Sequence, residues 1–350
     1  MKLGRSLTEL ATEIQRQAQS KADFIANTRQ LQMLEDGKSL ALESQGEFSV
    51  TDLALSQIGE RAGIPTKYLR KMQEEAPKLL ATNVNHWFGE RPETRMIRTL
   101  DGSARAFLSN RYKRVDNYDV AETALPVLLN TAGLRIASCE VTENRLYIKA
   151  VTDRVQREVK SRRVGDVVEA GVMISNSEVG LGSVLVSPFA HFLLCTNGMV
   201  REGGKRWNHI GKHADEKDEV YALLSDETRQ ADDKALLLKV RDTIRASLDE
   251  GLFTRWVDRL EGTTERKLEG DVTKAVEVLG NRLSLTQDEQ SSVLRHLIEG
   301  GDLSQYGLIN AVTRTAEDAK SYDRATELEM AGATVLDLKP TEWRDLALAA

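Results

Sequence analysis

At roughly 100–200 residues per domain, a chain of 350 residues exceeds one small core and falls short of three full domains. Hydrophobic residues at 41% and charged residues at 29% lie near globular averages, which excludes wholesale disorder. A net charge of −6, two cysteines and no apolar run of about 20 residues exclude a uniformly basic protein, a disulfide framework and a membrane span.

Residues 1–90 are nearly neutral, at −1, and read as mostly helical. Leu7, Leu10, Ile14 and Ala18 recur at helical spacing, and Gly37 to Phe48 has room for a short strand pair. Ser49-Val50-Thr51-Asp52 has the form of a capping box. The helix it opens runs through Leu53, Leu55, Ile58 and Ala62, breaks at Gly63-Ile64-Pro65, and restarts through Tyr68, Leu69 and Met72 until Pro77 closes it. This stretch resembles a helix-turn-helix. Gly59 falls at the helix crossing, Gly63 at the turn, and Ile64 and Leu69 at buried positions, leaving Thr66, Lys67, Arg70 and Lys71 to face a groove. An ordinary helical hairpin packed on the core has the same pattern.

Residues 91–213 carry +6, and 14 of their 19 cations are arginine. Arg95–Leu100 and Ala104–Leu108 flank Asp101-Gly102, a strong hairpin signal. A helix is expected over Asn117–Ala132, then strands over Leu134–Cys139, Arg145–Val151, Val167–Ser175, Ser183–Val186 and Phe192–Cys195. Arg91–Arg114 holds seven basic and two acidic residues among aromatics, a mixture that suits single-stranded nucleic acid: guanidinium grips phosphate while rings stack on bases. Arg98, Arg105, Arg111, Tyr112, Lys113 and Arg114 are the candidate contacts, with Arg162 and Arg163 from a second basic run. A solvated arginine-rich rim is the other reading. His191, Cys195, His209 and His213 have roughly the spacing of a small zinc site, although a core cysteine beside surface histidines explains them as well. No phosphate loop, dinucleotide fingerprint or nucleophile elbow is present, so neither a cofactor nor an enzymatic reaction is expected.

Residues 214–350 carry −11 and read as helices over Val220–Leu252, Val272–Leu279, Gln287–Ile298 and near Trp343. The fold class expected is α+β, an antiparallel β-rich core over 91–213 between a helical region over 1–90 and an acidic helical region over 214–350.

Several stretches together resemble the phage/plasmid-like protein family catalogued as domain of unknown function 932. They are Gly63-Ile64-Pro65 with Tyr68-Leu69, Phe107 to Tyr112 with Asp116-Asn117, Ile174 to Gly180, Cys195 to Val200, Gly307 to Thr313, and Tyr322 to Ala325. The resemblance implies a mobile-element origin and a bacterial cytoplasm. That family has no established activity, so no catalytic residue is carried over. The leading expectation is a non-enzymatic protein binding single-stranded DNA in recombination or replication as a homo-oligomer, with no membrane partner. The alternatives are a helix-turn-helix regulator, and an anti-defence or host-takeover protein that meets a phage or host partner through its acidic C-terminal helices.

Overall fold

The computed structural model describes residues 1–161, 164–194, 196–201, 203–207 and 226–349, and over them the chain is an α+β protein built on two sheets. Helix α1 (Leu7–Ser20) opens with Ser6 and Glu9 bonded reciprocally and buries Leu10 and Ile14. Strands β1 (Ala22–Asn27) and β2 (Leu31–Met33) follow, then an antiparallel hairpin of β3 (Ser39–Leu42) and β4 (Gly46–Val50). The first third is therefore less helical than expected.

Next come α2 (Asp52–Ala62), α3 (Thr66–Glu75) and α4 (Pro77–Glu90). Two ends differ from the sequence reading. Thr51, not Ser49, caps α2, because the helix starts two residues later and the Thr51 hydroxyl accepts from the Ala54 amide. Pro77 opens a helix rather than closing one. At the first helical position its missing N–H would have had no partner anyway, and its ring presets φ. Strands β5 (Thr94–Leu100) and β6 (Ser103–Ser109) form the expected hairpin, with Asp101 at φ 51° and Gly102 at φ 77°, the left-handed pair that a tight two-residue turn requires.

The first sheet runs β1-β5-β6-β4-β3-β2, with β4 parallel to β6 and the remaining pairs antiparallel. It draws strands from both sides of position 90. Helices α2, α3 and α4 pack on it through Leu55, Leu69, Leu80 and Val84 against Leu40, Ile97 and Phe107.

Helix α5 (Asn117–Asn130) leads into the second sheet, an antiparallel meander of β7 (Leu134–Val141), β8 (Leu146–Glu158), β9 (Val167–Asn176), β10 (Val184–Phe192) and β11 (Gly198–Val200). Strand β12 (Lys205–Trp207) pairs with the start of β10. Strand β10 runs past the expected Ser183–Val186 and through Pro188 to Phe192, while Leu193 and Leu194 of the expected Phe192–Cys195 strand form a turn. Pro188 lacks a donor, yet its carbonyl still accepts from the Arg201 amide.

Along β8 the side chains alternate. Leu146, Ile148 and Ala150 join a core with α1, α5 and α6 (Asp226–Ser247), while Tyr147 and Lys149 face α11 (Tyr322–Leu336). The remaining helices are α7 (Glu250–Glu261), α8 (Val272–Arg282), α9 (Gln287–Gly300), α10 (Gln305–Arg314) and α12 (Pro340–Ala347). They share one core with the second sheet, where Phe253, Val257, Leu308 and Val312 meet Val168, Ala190 and Phe192. Among the described residues, no helix is long and apolar enough to cross a membrane. The expected boundary between the 91–213 core and the 214–350 region lies outside the described residues.

Candidate nucleic-acid interface

The basic segment Arg91–Arg114 is divided by the fold. Arg98, expected at a nucleic-acid surface, is fully buried. Its Nε donates to Asp23 Oδ1 at 2.8 Å, one terminal nitrogen donates to Asp116 Oδ1 at 2.5 Å, and the other donates to the Glu178 carbonyl at 3.0 Å. Arg105 is nearly as buried and donates to Glu178 Oε2 at 2.5 Å, while Glu178 Oε1 accepts from the Asn117 amide at 2.6 Å. Lys21 pairs with Asp116, and Arg114 Nε lies 3.7 Å from Asp23. Tyr112 is also inside, its hydroxyl donating to the Ser177 carbonyl at 2.9 Å.

The electrostatics agree with this placement. Burial alone would push the Asp116 carboxyl up, but Arg98 and Lys21 beside it hold it below the usual range. Burial pushes the Tyr112 phenol well above its ordinary value. Arg98, Arg105 and Tyr112 are thus structural groups, and their expected role as contacts is corrected. A charged side chain enters a sheet junction only when carboxylates meet it there, and Asp23, Asp116 and Glu178 do so. Sequence spacing gave no sign of these partners, because Asp23 and Glu178 lie 75 and 80 residues away from Arg98. The cluster brings together three of the singled-out motifs: Phe107 to Tyr112, Asp116-Asn117, and Ile174 to Gly180.

The rest of the segment stays near the surface. Arg111 and Arg114 are exposed, whereas Lys113 is mostly covered and pairs with Asp232 of α6 at 2.6 Å. Arg162 and Arg163 lie outside the described residues. So do Cys195, His209 and His213 of the expected metal set. His191 is described and lies 3.1 Å from Glu169 Oε2, with burial lowering its pKa despite that carboxylate. Among the described residues, no three His, Cys, Asp or Glu side chains gather as a metal site would need.

The helix pair α2–α3 keeps its four candidate residues at or near the surface. Gly63 closes α2 in the left-handed region at φ 70°, and three residues separate the helices. A Cβ on Gly59 would come within 2.7 Å of the Leu69 side chain, so the crossing needs glycine or a shift of Leu69. Ile64, Leu69 and Met72 are buried behind the turn. On the other face, Thr66, Lys67 and Lys71 are exposed, and Tyr68 is 47% exposed. Arg70 is half-buried and donates to Asp52 Oδ1 at 2.5 Å, while Lys71 lies 3.8 Å from Glu75. Tyr68, which the sequence reading placed with Leu69 and Met72 on the apolar run, is a surface residue, and its spacing four before the buried Met72 gave no signal of that exposure.

Comparison with family models, curated proteins and solved structures finds no match.

Proposed function

We propose that this chain binds DNA through α2–α3, with α3 entering the groove by its N-terminal half. One observation carries the reading. The turn and crossing are fixed by Gly59, Gly63 and Leu69, and the half-helix they hold outward is Thr66-Lys67-Tyr68 with Lys71 one turn on. Such a surface supplies two cations for phosphate, a hydroxyl for a base edge or phosphate, and an aromatic ring. The resemblance of several motifs to the phage/plasmid-like family is the ground for placing this activity in a mobile-element setting and a bacterial cytoplasm.

A second reading has its own observation. Arg111 and Arg114 remain exposed at the end of the first sheet, where a single strand could reach them.

Fluorescence anisotropy with duplex and single-stranded oligonucleotides, at about 50 and 200 mM salt, separates the two. The expected result is duplex binding that falls steeply with salt. Lys67→Ala/Lys71→Ala should weaken it at least tenfold and lower the salt slope by roughly 2. Absence of duplex binding at low salt, or a double variant that binds as well as the parent, overturns the first reading. Single-strand binding lost only in Arg111→Ala/Arg114→Ala would establish the second.

A further inference from the structure

The two edges of the first sheet are finished differently. At β2, Asn85 of α4 bonds the strand with its side chain: Oδ1 accepts from the Met33 amide at 2.8 Å, and Nδ2 donates to the Met33 carbonyl at 2.9 Å. A side chain thus occupies the place of a further strand there. At β1 the Thr28 amide donates to the Glu93 carbonyl at 2.9 Å, just beyond the β1–β5 pairing. By the alternation of an antiparallel ladder, Ala26, Phe24 and Ala22 also bond toward β5, and Asp23, Ile25 and Asn27 turn their amides and carbonyls outward. Gln30 Oε1 takes the Asn27 amide at 3.0 Å. Among the described residues, nothing bonds the outward amides and carbonyls of Asp23 and Ile25, and the Ile25 side chain is 54% exposed.

We propose that this edge pairs antiparallel with β1 of a second copy of the chain, about a twofold axis at Ile25. Outward residues can face only outward residues, so few symmetric registers exist. An axis at Asp23 sets two carboxylates opposite each other, a like-charge pair that destabilises a sheet. An axis at Phe24 sets each Asp23 against an isoleucine, and an axis beyond Ile25 shortens the overlap. With the axis at Ile25, the two exposed isoleucines stand side by side, Phe24 faces Ala26, and Asp23 faces the uncharged Asn27. The Ile25 amide and carbonyl then bond their counterparts, and the Asp23 amide meets the Asn27 carbonyl of the second copy.

This pairing runs two six-stranded sheets together as one. The axis is perpendicular to the sheet, and Phe24 and Ala26 lie on the face that packs with Leu55, Leu69 and Leu80 of the helices. Both helical layers therefore fall on the same face of the joined sheet, as a twofold pair of the kind that meets an inverted repeat in duplex DNA. The self-pairing itself does not rest on the α2–α3 reading. A strand of six residues buries less than the roughly 1,200–2,000 Å² of a stable interface, so monomer and dimer exchange at micromolar protein.

Sedimentation equilibrium of the full chain from roughly 1 to 300 µM tests the pairing. The mean mass should rise toward twice that of the monomer, and hydrogen exchange of Ala22–Asn27 should slow over the same range. Ile25→Pro removes only an outward N–H, so the monomer keeps its ladder while association should weaken roughly tenfold or more. Should Ile25→Pro fail to unfold cooperatively, Ile25→Lys replaces it with the same expectation, because it sets two ammonium groups at the axis. A monomer throughout the range, association unchanged in a folded Ile25 variant, or exchange at β1 that ignores concentration overturns the proposal. Lys67→Ala/Lys71→Ala should self-associate like the parent, so failure of the pairing and failure of the DNA reading give different results.

Discussion

Arg98 shows how much one side chain organises. It ties β5 to β1 through Asp23, to the start of α5 through Asp116, and to the loop after β9 through the Glu178 carbonyl. Removing it leaves two carboxylates largely buried without their guanidinium, a change that typically costs about 3–5 kcal/mol. Arg98→Ala should therefore lose that amount in a urea or guanidinium unfolding curve, whereas Arg111→Ala, on the surface, should stay within about 0.5 kcal/mol of the parent. The pH dependence has a definite sign. The Asp116 carboxyl titrates lower in the folded chain than its ordinary value of 3.8. Its stabilisation is thus complete above about pH 4 and is lost as the pH falls through the lower folded value. Asp116→Asn should flatten the acid side of the Tm–pH curve; an acid limb as steep as the parent's would exclude this account.

At the scale of elements, Gly63 and Gly59 do different jobs in the same motif. A Cβ at Gly63 would meet nothing, so Gly63→Ala should cost only the left-handed conformation, about 1–2 kcal/mol, and Gly63→Asn less, as read by thermal unfolding. Both glycines were legible in the sequence because their spacing from Ile64 and Leu69 repeats a two-helix pattern. The β5–β6 hairpin was legible for a similar reason: Asp101-Gly102 is a local signal that needs no distant partner. Helices α10 and α11 were not. Along α10 the buried side chains Tyr306, Leu308, Ile309, Ala311, Val312 and Thr313 cover more than one face, so no polar stripe alternates with an apolar one. Strand β1 was missed because Ala22–Asn27 is short and gains its place only by pairing with Thr94–Thr99. The candidate contacts divided along the same line. The turn fixed Thr66 and Lys67 on an outer face, while the fate of Arg98 depended on carboxylates remote in sequence.

Over the whole molecule, the split between a +6 middle segment and a −11 tail is partly satisfied from within. Lys113 pairs with Asp232, Arg157 with Asp258, and Lys149 with Glu329. A basic segment in a sequence thus need not imply an external polyanion. The Lys149–Glu329 pair is completely buried at 2.6 Å between β8 and α11, with Lys149 Nζ also 4.5 Å from the Tyr322 ring centre. Burial drives the Lys149 pKa down even with Glu329 beside it. Glu329→Leu alone should lose about 3–5 kcal/mol, because it strands a buried ammonium. Lys149→Met/Glu329→Leu should recover the parent's stability or exceed it. A double variant as unstable as the sum of the two singles would show no coupling between Lys149 and Glu329 and would overturn this account.

The order of strands in the first sheet also bears on how the chain is made. Strand β1 leaves the ribosome early, but its neighbour is β5, and Asp23 waits for Arg98, 75 residues later. At about 5–20 residues per second, that is roughly 4–15 s during which Ala22–Asn27 has no strand to join. The nascent first third carries an unpaired edge throughout that interval, so slow translation near residues 90–100 would prolong its exposure to chaperones and to neighbouring chains.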